Sequence, residues 1–185
     1  MSVGKATALD RVRGWRWGRP TAAAPLAVGP FVEAAKSLSN KLTGALICFT
    51  QASDLSAFAE SGDRLDAEIS KRLLLSIFNK TSPLHDGAVI VAGGRIKAAR
   101  CILPVSENSN VPASLGLRHR AAIGLSEITD AVVLVVSEET GAMSLVRHGE
   151  VHRDLATGEL RALLNEWLLA SAGSRPTAFK SEAAA

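Results

Sequence analysis

The chain has 185 residues, of which 47% are hydrophobic and 21% charged, with a formal net charge of +3 and a sequence pI of about 9.1. That length suits one domain with a full core, and the composition excludes collagenous, low-complexity and wholly disordered chains. The mild basic excess favours anionic ligands without implying nucleic acid; no apolar run reaches the ~18 residues of a membrane helix, and no secretory signal opens the chain.

Residues 1–30 stand apart. Arg11, Arg13, Arg16 and Arg19 interleave with Trp15 and Trp17, and an Ala/Pro/Gly stretch follows. A poorly ordered basic segment is the plainest reading. Contact with anionic lipid, with tryptophan at the interface and arginine on the headgroups, is the sharper one. Single-stranded nucleic acid ranks last, and no nucleic-acid partner is expected. From residue 31 the spacing of Phe31, Ala34, Ala35 and Leu38 predicts a helix to residue 39. Residues 44–49, apolar and bounded by turn residues, predict a buried strand. Ser53 and Asp54 offer caps for a short helix over 55–60. Residues 66–78 give the clearest helical pattern, with Ile69, Leu73 and Ile77 facing in. Residues 88–92 and 95–103 predict two strands joined by Gly93-Gly94, the residues a two-residue hairpin turn needs.

A polar loop follows over 105–114, then a helix over 116–128. Residues 131–136 read as a central strand, β-branched and apolar on both faces. A turn at 138–141 leads to a returning strand over 142–146, and residues 147–150 turn again. Residues 157–170 predict a closing helix striped by Leu160, Leu163, Leu164, Trp167 and Leu168, and residues 171–185 a disordered tail. Hairpins mixed with helices imply an α/β fold with a mixed sheet. Cys48 and Cys101, the only cysteines, sit in apolar runs and predict buried free thiols in a reducing compartment.

The chemistry concentrates in two stretches. The first, Ser82-Pro83-Leu84-His85-Asp86-Gly87-Ala88, reads as a loop entering the strand at Val89. Pro83 fixes its own backbone and biases Ser82 away from helix, and Gly87 permits close approach to the main chain. The second, Leu115-Gly116-Leu117-Arg118-His119-Arg120-Ala121-Ala122, comes about thirty residues on and puts three cationic or proton-carrying side chains at a helix start. A carboxylate able to hold a divalent metal, a glycine and an Arg-His-Arg cluster suit a polyphosphate ligand. Neither GxGxxG nor a Walker A sequence occurs.

Asp86-Gly87-Ala88 and Arg118-His119-Arg120 resemble the paired DGA and RHR motifs of the diadenylate cyclase (DAC) domain family, and Ser137-Glu138-Glu139-Thr140-Gly141 strengthens the match. The resemblance spans roughly residues 31–167 and is nearest to the membrane-anchored class. It implies a single catalytic domain over 31–170, built on a twisted mixed sheet flanked by helices. It also implies condensation of two ATP into cyclic di-AMP with loss of two pyrophosphates. Each ribose 3′-hydroxyl would attack the other nucleotide's α-phosphorus across a face-to-face homodimer. Asp86, Arg118 and Arg120 are the implied catalytic residues. Gly87, Ala88, Leu103, Leu117, Arg118 and His119 would contact ATP, with Ser137 and Glu138. His85, Asp86 and Glu139 would hold the divalent metal, manganese or magnesium. Adjacent helical positions diverge by about 100°, so Arg118, His119 and Arg120 cannot all reach one phosphate.

Two positions depart from the family pattern. Leu117 replaces a threonine before Arg-His-Arg, and Ile102 replaces an aromatic before Leu-Pro, which leaves a non-catalytic nucleotide sensor on the same fold as the alternative. A cytoplasmic location is expected, with membrane association if an N-terminal anchor belongs to the protein.

Overall fold

The computed structural model describes residues 26–170 other than 110, 113 and 114. Seven strands form one sheet in the order β2–β4–β3–β1–β5–β6–β7. They are β1 (Ala45–Phe49), β2 (Asp63–Glu68), β3 (Ala88–Ala92), β4 (Arg95–Cys101), β5 (Val132–Val136), β6 (Met143–Arg147) and β7 (Glu150–His152). Only β1 and β3 run parallel, with Ile47 opposite Val89; every other neighbouring pair is antiparallel. The mixed sheet expected from the sequence is therefore present. The helices are α1 (Gly29–Asn40), α2 (Ser56–Glu60), α3 (Lys71–Ile77), α4 (Leu117–Ile128) and α5 (Thr157–Ala170).

Strand alternation divides the core in two. Ala45, Ile47, Phe49, Val132, Leu134 and Val136 point to one face, where α1, α3 and α5 cover them with Phe31, Leu38, Leu74, Ile77, Leu160 and Leu164. Leu46, Cys48, Ile90, Val133 and Val135 point to the other face, under α4 and the Leu55 end of α2. Because β1 and β5 are buried on both faces, they read as unbroken apolar runs. Each large side chain so buried contributes about 1.5–3 kcal/mol. Phe31 of α1 meets Phe49 of β1 edge to face, with ring centroids 4.8 Å apart. Pro30 begins α1 where a missing N–H costs nothing. Gly93 and Gly94 both have positive φ, which forms the tight hairpin between β3 and β4. Both cysteines are buried and free. Burial pushes the Cys48 thiol pKa well up, and pushes Cys101 up to about 11.

Two expectations fail. The helix predicted over 66–78 begins only after Ser70, whose hydroxyl accepts the Leu73 N–H as an N-cap. Residues 63–68 instead form the edge strand β2. Its ladder to β4 is interrupted between Arg64 and Ala67, and Asp66 takes a positive φ there. The Asp66 carboxylate accepts hydrogen bonds from Arg95 Nε and Lys97 Nζ at 3.1 and 2.8 Å. Those cations, Lys97 first, hold its pKa below the usual carboxylate value. The turn predicted over 147–150 also closes onto a short strand, β7, that the sequence reading left out. The basic segment falls almost wholly on residues 1–25, which lie outside the described residues, as does the tail 171–185. No helix among the described residues is long and apolar enough to cross a membrane.

Candidate functional site

The parallel β1–β3 pair fixes where the two motifs stand. The starts of β1 and β3 lie at the same end of the sheet, where antiparallel β5 ends (Ala45 pairs Val136) and β4 ends (Ala88 pairs Cys101). One edge therefore collects Gly44 before β1, Asp86 and Gly87 before β3, Ile102 and Leu103 after β4, and the turn at residues 137–141 after β5. Helix α4 brings its first turn to the same end.

Arg118 is the pivot. Its guanidinium lies over the backbone of Gly44, close enough that a Cβ there would sit 2.7 Å from Cζ and 2.9 Å from Nε and Nη1. Its Nη1 donates to Glu138 Oε2 at 2.8 Å, with the arginine side chain 22% exposed and the glutamate 52%. Residues 115–119, 136–140, 142, 144 and 153 line a hollow of about 100 Å³ around this pair. Leu117, Arg118, His119, Ser137, Glu138 and Glu139, six of the residues singled out from the sequence, thus border one space. At its edge Gly116 caps α4 with no side-chain hydrogen bond. The first N–H groups of that helix, and its dipole, are available to an anion.

The turn after β5 is self-braced. Ser137 Oγ accepts from the N–H groups of Glu139 and Thr140 at 3.3 and 3.2 Å, and Thr140 Oγ1 accepts from Ala142 N at 3.2 Å. These bonds use the serine oxygen as an acceptor and leave its proton to donate.

His119 behaves differently from its neighbours. It is buried, 6% exposed, and its Nε2 lies 3.1 Å from Ser144 Oγ. Burial, then the charge of Arg153, lowers its pKa below the ordinary value, so the ring is neutral at pH 7. Arg120 is half-buried and is not among the residues lining the hollow. The divergence expected of three successive helical positions is present: one cation faces the hollow, one ring braces β6, and one cation points elsewhere.

On the neighbouring loop, His85 Nδ1 lies 2.6 Å from the Ser82 carbonyl oxygen. A carbonyl only accepts, so Nδ1 donates to it and Nε2 is the ring nitrogen left for a metal. Asp86 beside it is exposed. The carboxylate suits manganese or magnesium, and the added ring nitrogen suits manganese, once phosphate or water oxygens complete the shell. Among the described residues no three His, Cys, Asp or Glu side chains are grouped for a metal. Glu139 follows β5 while His85 and Asp86 precede β3, with β1 between.

Gly87 has φ +142, and a Cβ there would lie 2.7 Å from the Arg100 carbonyl carbon and 2.8 Å from its Cα. Only glycine fits against β4 at that point. Leu103 is buried in the α4 side of the core, whereas Leu117 and Ile102 are 71% and 72% exposed. The sequence reading missed Gly44. Its signal was the Lys41-Leu42-Thr43-Gly44 approach to β1, which shows a glycine but not the arginine that rests on it. A larger hollow, about 500 Å³, lies between α2 and the sheet and is lined by Thr50, Leu55, Ala59, Ile90 and Lys97 among others. It is lined by none of the candidate site residues named from the sequence.

A family model described as "DisA bacterial checkpoint controller nucleotide-binding", abbreviated DAC, matches residues 32–151. The chain is 42% identical over 142 residues to a protein of Listeria monocytogenes named diadenylate cyclase, covering 77% of this chain and 52% of that one. It is 42% identical over 127 residues to the cyclic di-AMP synthase CdaA of Bacillus subtilis, covering 69% and 46%. The chain thus spans about half the length of these curated relatives. Its fold is similar to a crystal structure of a double mutant of DacA from Staphylococcus aureus, with a TM-score of 0.75 and 39% identity, covering 76% of this chain and 94% of that one. A solved Bacillus cereus protein described as a hypothetical membrane spanning protein gives a TM-score of 0.66 at 43% identity, covering 69% and 62%.

Proposed function

The chain belongs to the DAC family, and on that premise we propose that it is a diadenylate cyclase domain, joining two ATP into cyclic di-AMP. In each half-reaction a ribose 3′-oxygen bonds to the α-phosphorus of the other ATP. The bond from that phosphorus to the β-phosphate bridging oxygen breaks, and pyrophosphate leaves with the pair of electrons. The hydroxyl proton passes to Asp86. Two such steps close the ring and release two pyrophosphates.

The observation that carries the reading is the position of Arg118. An arginine already seated over Gly44, and paired with a half-exposed carboxylate, can exchange Glu138 for phosphate oxygens with little desolvation cost. The α4 N–H groups and the Ser137 hydroxyl stand beside it as further phosphate donors. Gly87 and Ala88 bring the backbone of β3 close to the nucleotide, and Leu103 and Ile102 supply an apolar wall for the base. His119, a neutral ring, braces the start of α4 on β6 through Ser144.

His85 and Asp86 would hold the divalent cation. When bound, such an ion supplies positive charge at the phosphates and makes the attacking hydroxyl more acidic. The Asp86 carboxylate places that hydroxyl and takes its proton. A single protomer with one ATP can supply one 3′-hydroxyl or one α-phosphate to each bond, not both. Ring closure therefore calls for two protomers face to face.

Incubation of the chain with ATP and either manganese or magnesium, with products separated by chromatography, tests the reading. Cyclic di-AMP is expected. ATP bound and recovered unchanged under both metals would instead favour a nucleotide sensor, the reading consistent with Leu117 and Ile102.

A further inference from the structure

β4 breaks its pairing beside the motif at Asp86. Its ladder to β3 sets Cys101 opposite Ala88 and Ala98 opposite Ile90. Ala99 and Arg100 therefore oppose Val89 alone, the two-against-one count of a β-bulge, a device that re-aims a side chain. Arg100 takes φ +57 there, a conformation uncommon for a long side chain. Its backbone is the surface against which Gly87 packs, so the bulge and the Asp86-Gly87 loop are in contact.

The side chain is also fixed. Arg100 Nε donates to Asp63 Oδ2 at 2.8 Å, across from the neighbouring strand β2. The strand is tied down two residues later, where Ile102 N donates to Ser61 Oγ at 2.9 Å. Asp63 and, more weakly, Asp86 hold the guanidinium in its charged form. The charged groups that act on it are thus Asp63 from β2 and Asp86 from the loop before β3. With its Nε committed to Asp63, the guanidinium retains its remaining N–H donors.

We propose that Arg100 is a positioning residue of the nucleotide site: the β4 bulge and Asp63 hold it on the strand against which the Asp86-Gly87 loop packs, where its charge offsets the carboxylates at that edge and admits an anionic polyphosphate. This rests on the reading of the site as an ATP site. Two exposed carboxylates, Asp63 and Asp86, would otherwise repel a triphosphate arriving at the same edge. Arg118 holds the phosphates from the α4 side, and Arg100 shapes the field from the β4 side.

The test uses the full chain. Arg100→Gly deletes the guanidinium while keeping a backbone conformation that glycine adopts freely. Arg100→Asn, a side chain tolerant of that conformation, is the second deletion variant. Arg100→Lys keeps the charge. ATP affinity is measured by titration calorimetry at low and high salt, and turnover separately. Both deletions are expected to weaken ATP about five-fold or more at low salt and to flatten its salt dependence. Lysine should restore most of the loss, and KM should change more than kcat. Deletion variants with wild-type affinity and salt dependence overturn the inference. So does a loss that is insensitive to salt and not restored by lysine. Absence of cyclic product from the wild-type chain would contradict the proposed function instead, and the binding titration still decides the role of Arg100.

Discussion

Substituting Gly44 by alanine moves Arg118 without changing any charge. Gly44 is not among the residues with positive φ, so alanine is allowed by the backbone. The new Cβ would lie 2.7 Å from Arg118 Cζ, and ordinary contact begins at 3.4 Å, so the guanidinium must withdraw by 0.7 Å or more. Displacing a phosphate clamp by that order costs about 10²-fold in rate, equivalent to roughly 2.7 kcal/mol in the transition state. Stability should barely change. Gly→Ala at a compatible site gains about 0.4–1 kcal/mol through the unfolded chain, and disturbing the half-exposed Arg118–Glu138 pair loses about 0–1 kcal/mol. The assay is initial-rate formation of cyclic dinucleotide, run beside thermal unfolding of the same preparation. A folded Gly44→Ala protein with wild-type turnover would show that the seat of Arg118 is irrelevant to the chemistry.

Other substitutions separate the remaining roles. Asp86→Asn, near-isosteric and exposed, should abolish cyclisation and leave the unfolding midpoint in place; wild-type turnover with both metals would remove Asp86 from the reaction. Arg118→Ala should cost about 2–4 kcal/mol in kcat/KM and Arg120→Ala less, because Arg118 borders the hollow and Arg120 does not; the reverse order would move the phosphate site. Leu117→Thr should preserve turnover and tighten ATP, since an exposed leucine gives way to a hydroxyl near the helix start; a clear fall in affinity would assign the leucine its own packing role. For His119 the folded pKa is lowered, so the unfolded chain binds more protons as pH falls through about 6.5. Its share of stability is present above that pH and lost below it. Unfolding midpoints from pH 8 to 5 should therefore fall more steeply for the wild type than for His119→Asn, and parallel profiles would refute the buried neutral ring.

What the sequence disclosed follows burial. The faces of α1 and α5, the doubly buried β1 and β5 and the Gly93-Gly94 hairpin were all legible, because apolar period and turn chemistry agree there. β2 was not. Its residues Asp63, Arg64, Asp66 and Glu68 are an edge strand's charges, and the periodic leucines beyond Ser70 extended the helix pattern backwards over its second half, from Asp66. The strand is held by Asp66 to Arg95 and Lys97, partners about thirty residues away that no local window contains. In the site, the motif residues were readable but their pairings were not. That Arg118 meets Glu138, and that His119 turns inward to Ser144, depends on how α4 lies across β5 and β6. The helical angle announced a divergence at Arg118-His119-Arg120 without saying which side chain would face the hollow.

The most direct test of the central claim is phosphorus NMR of one reaction of the chain with ATP and a divalent metal, counting pyrophosphate against new phosphodiester. The account predicts two pyrophosphates for each cyclic dinucleotide and no net ADP. ATP left intact, or hydrolysed without a new phosphodiester signal, would contradict it.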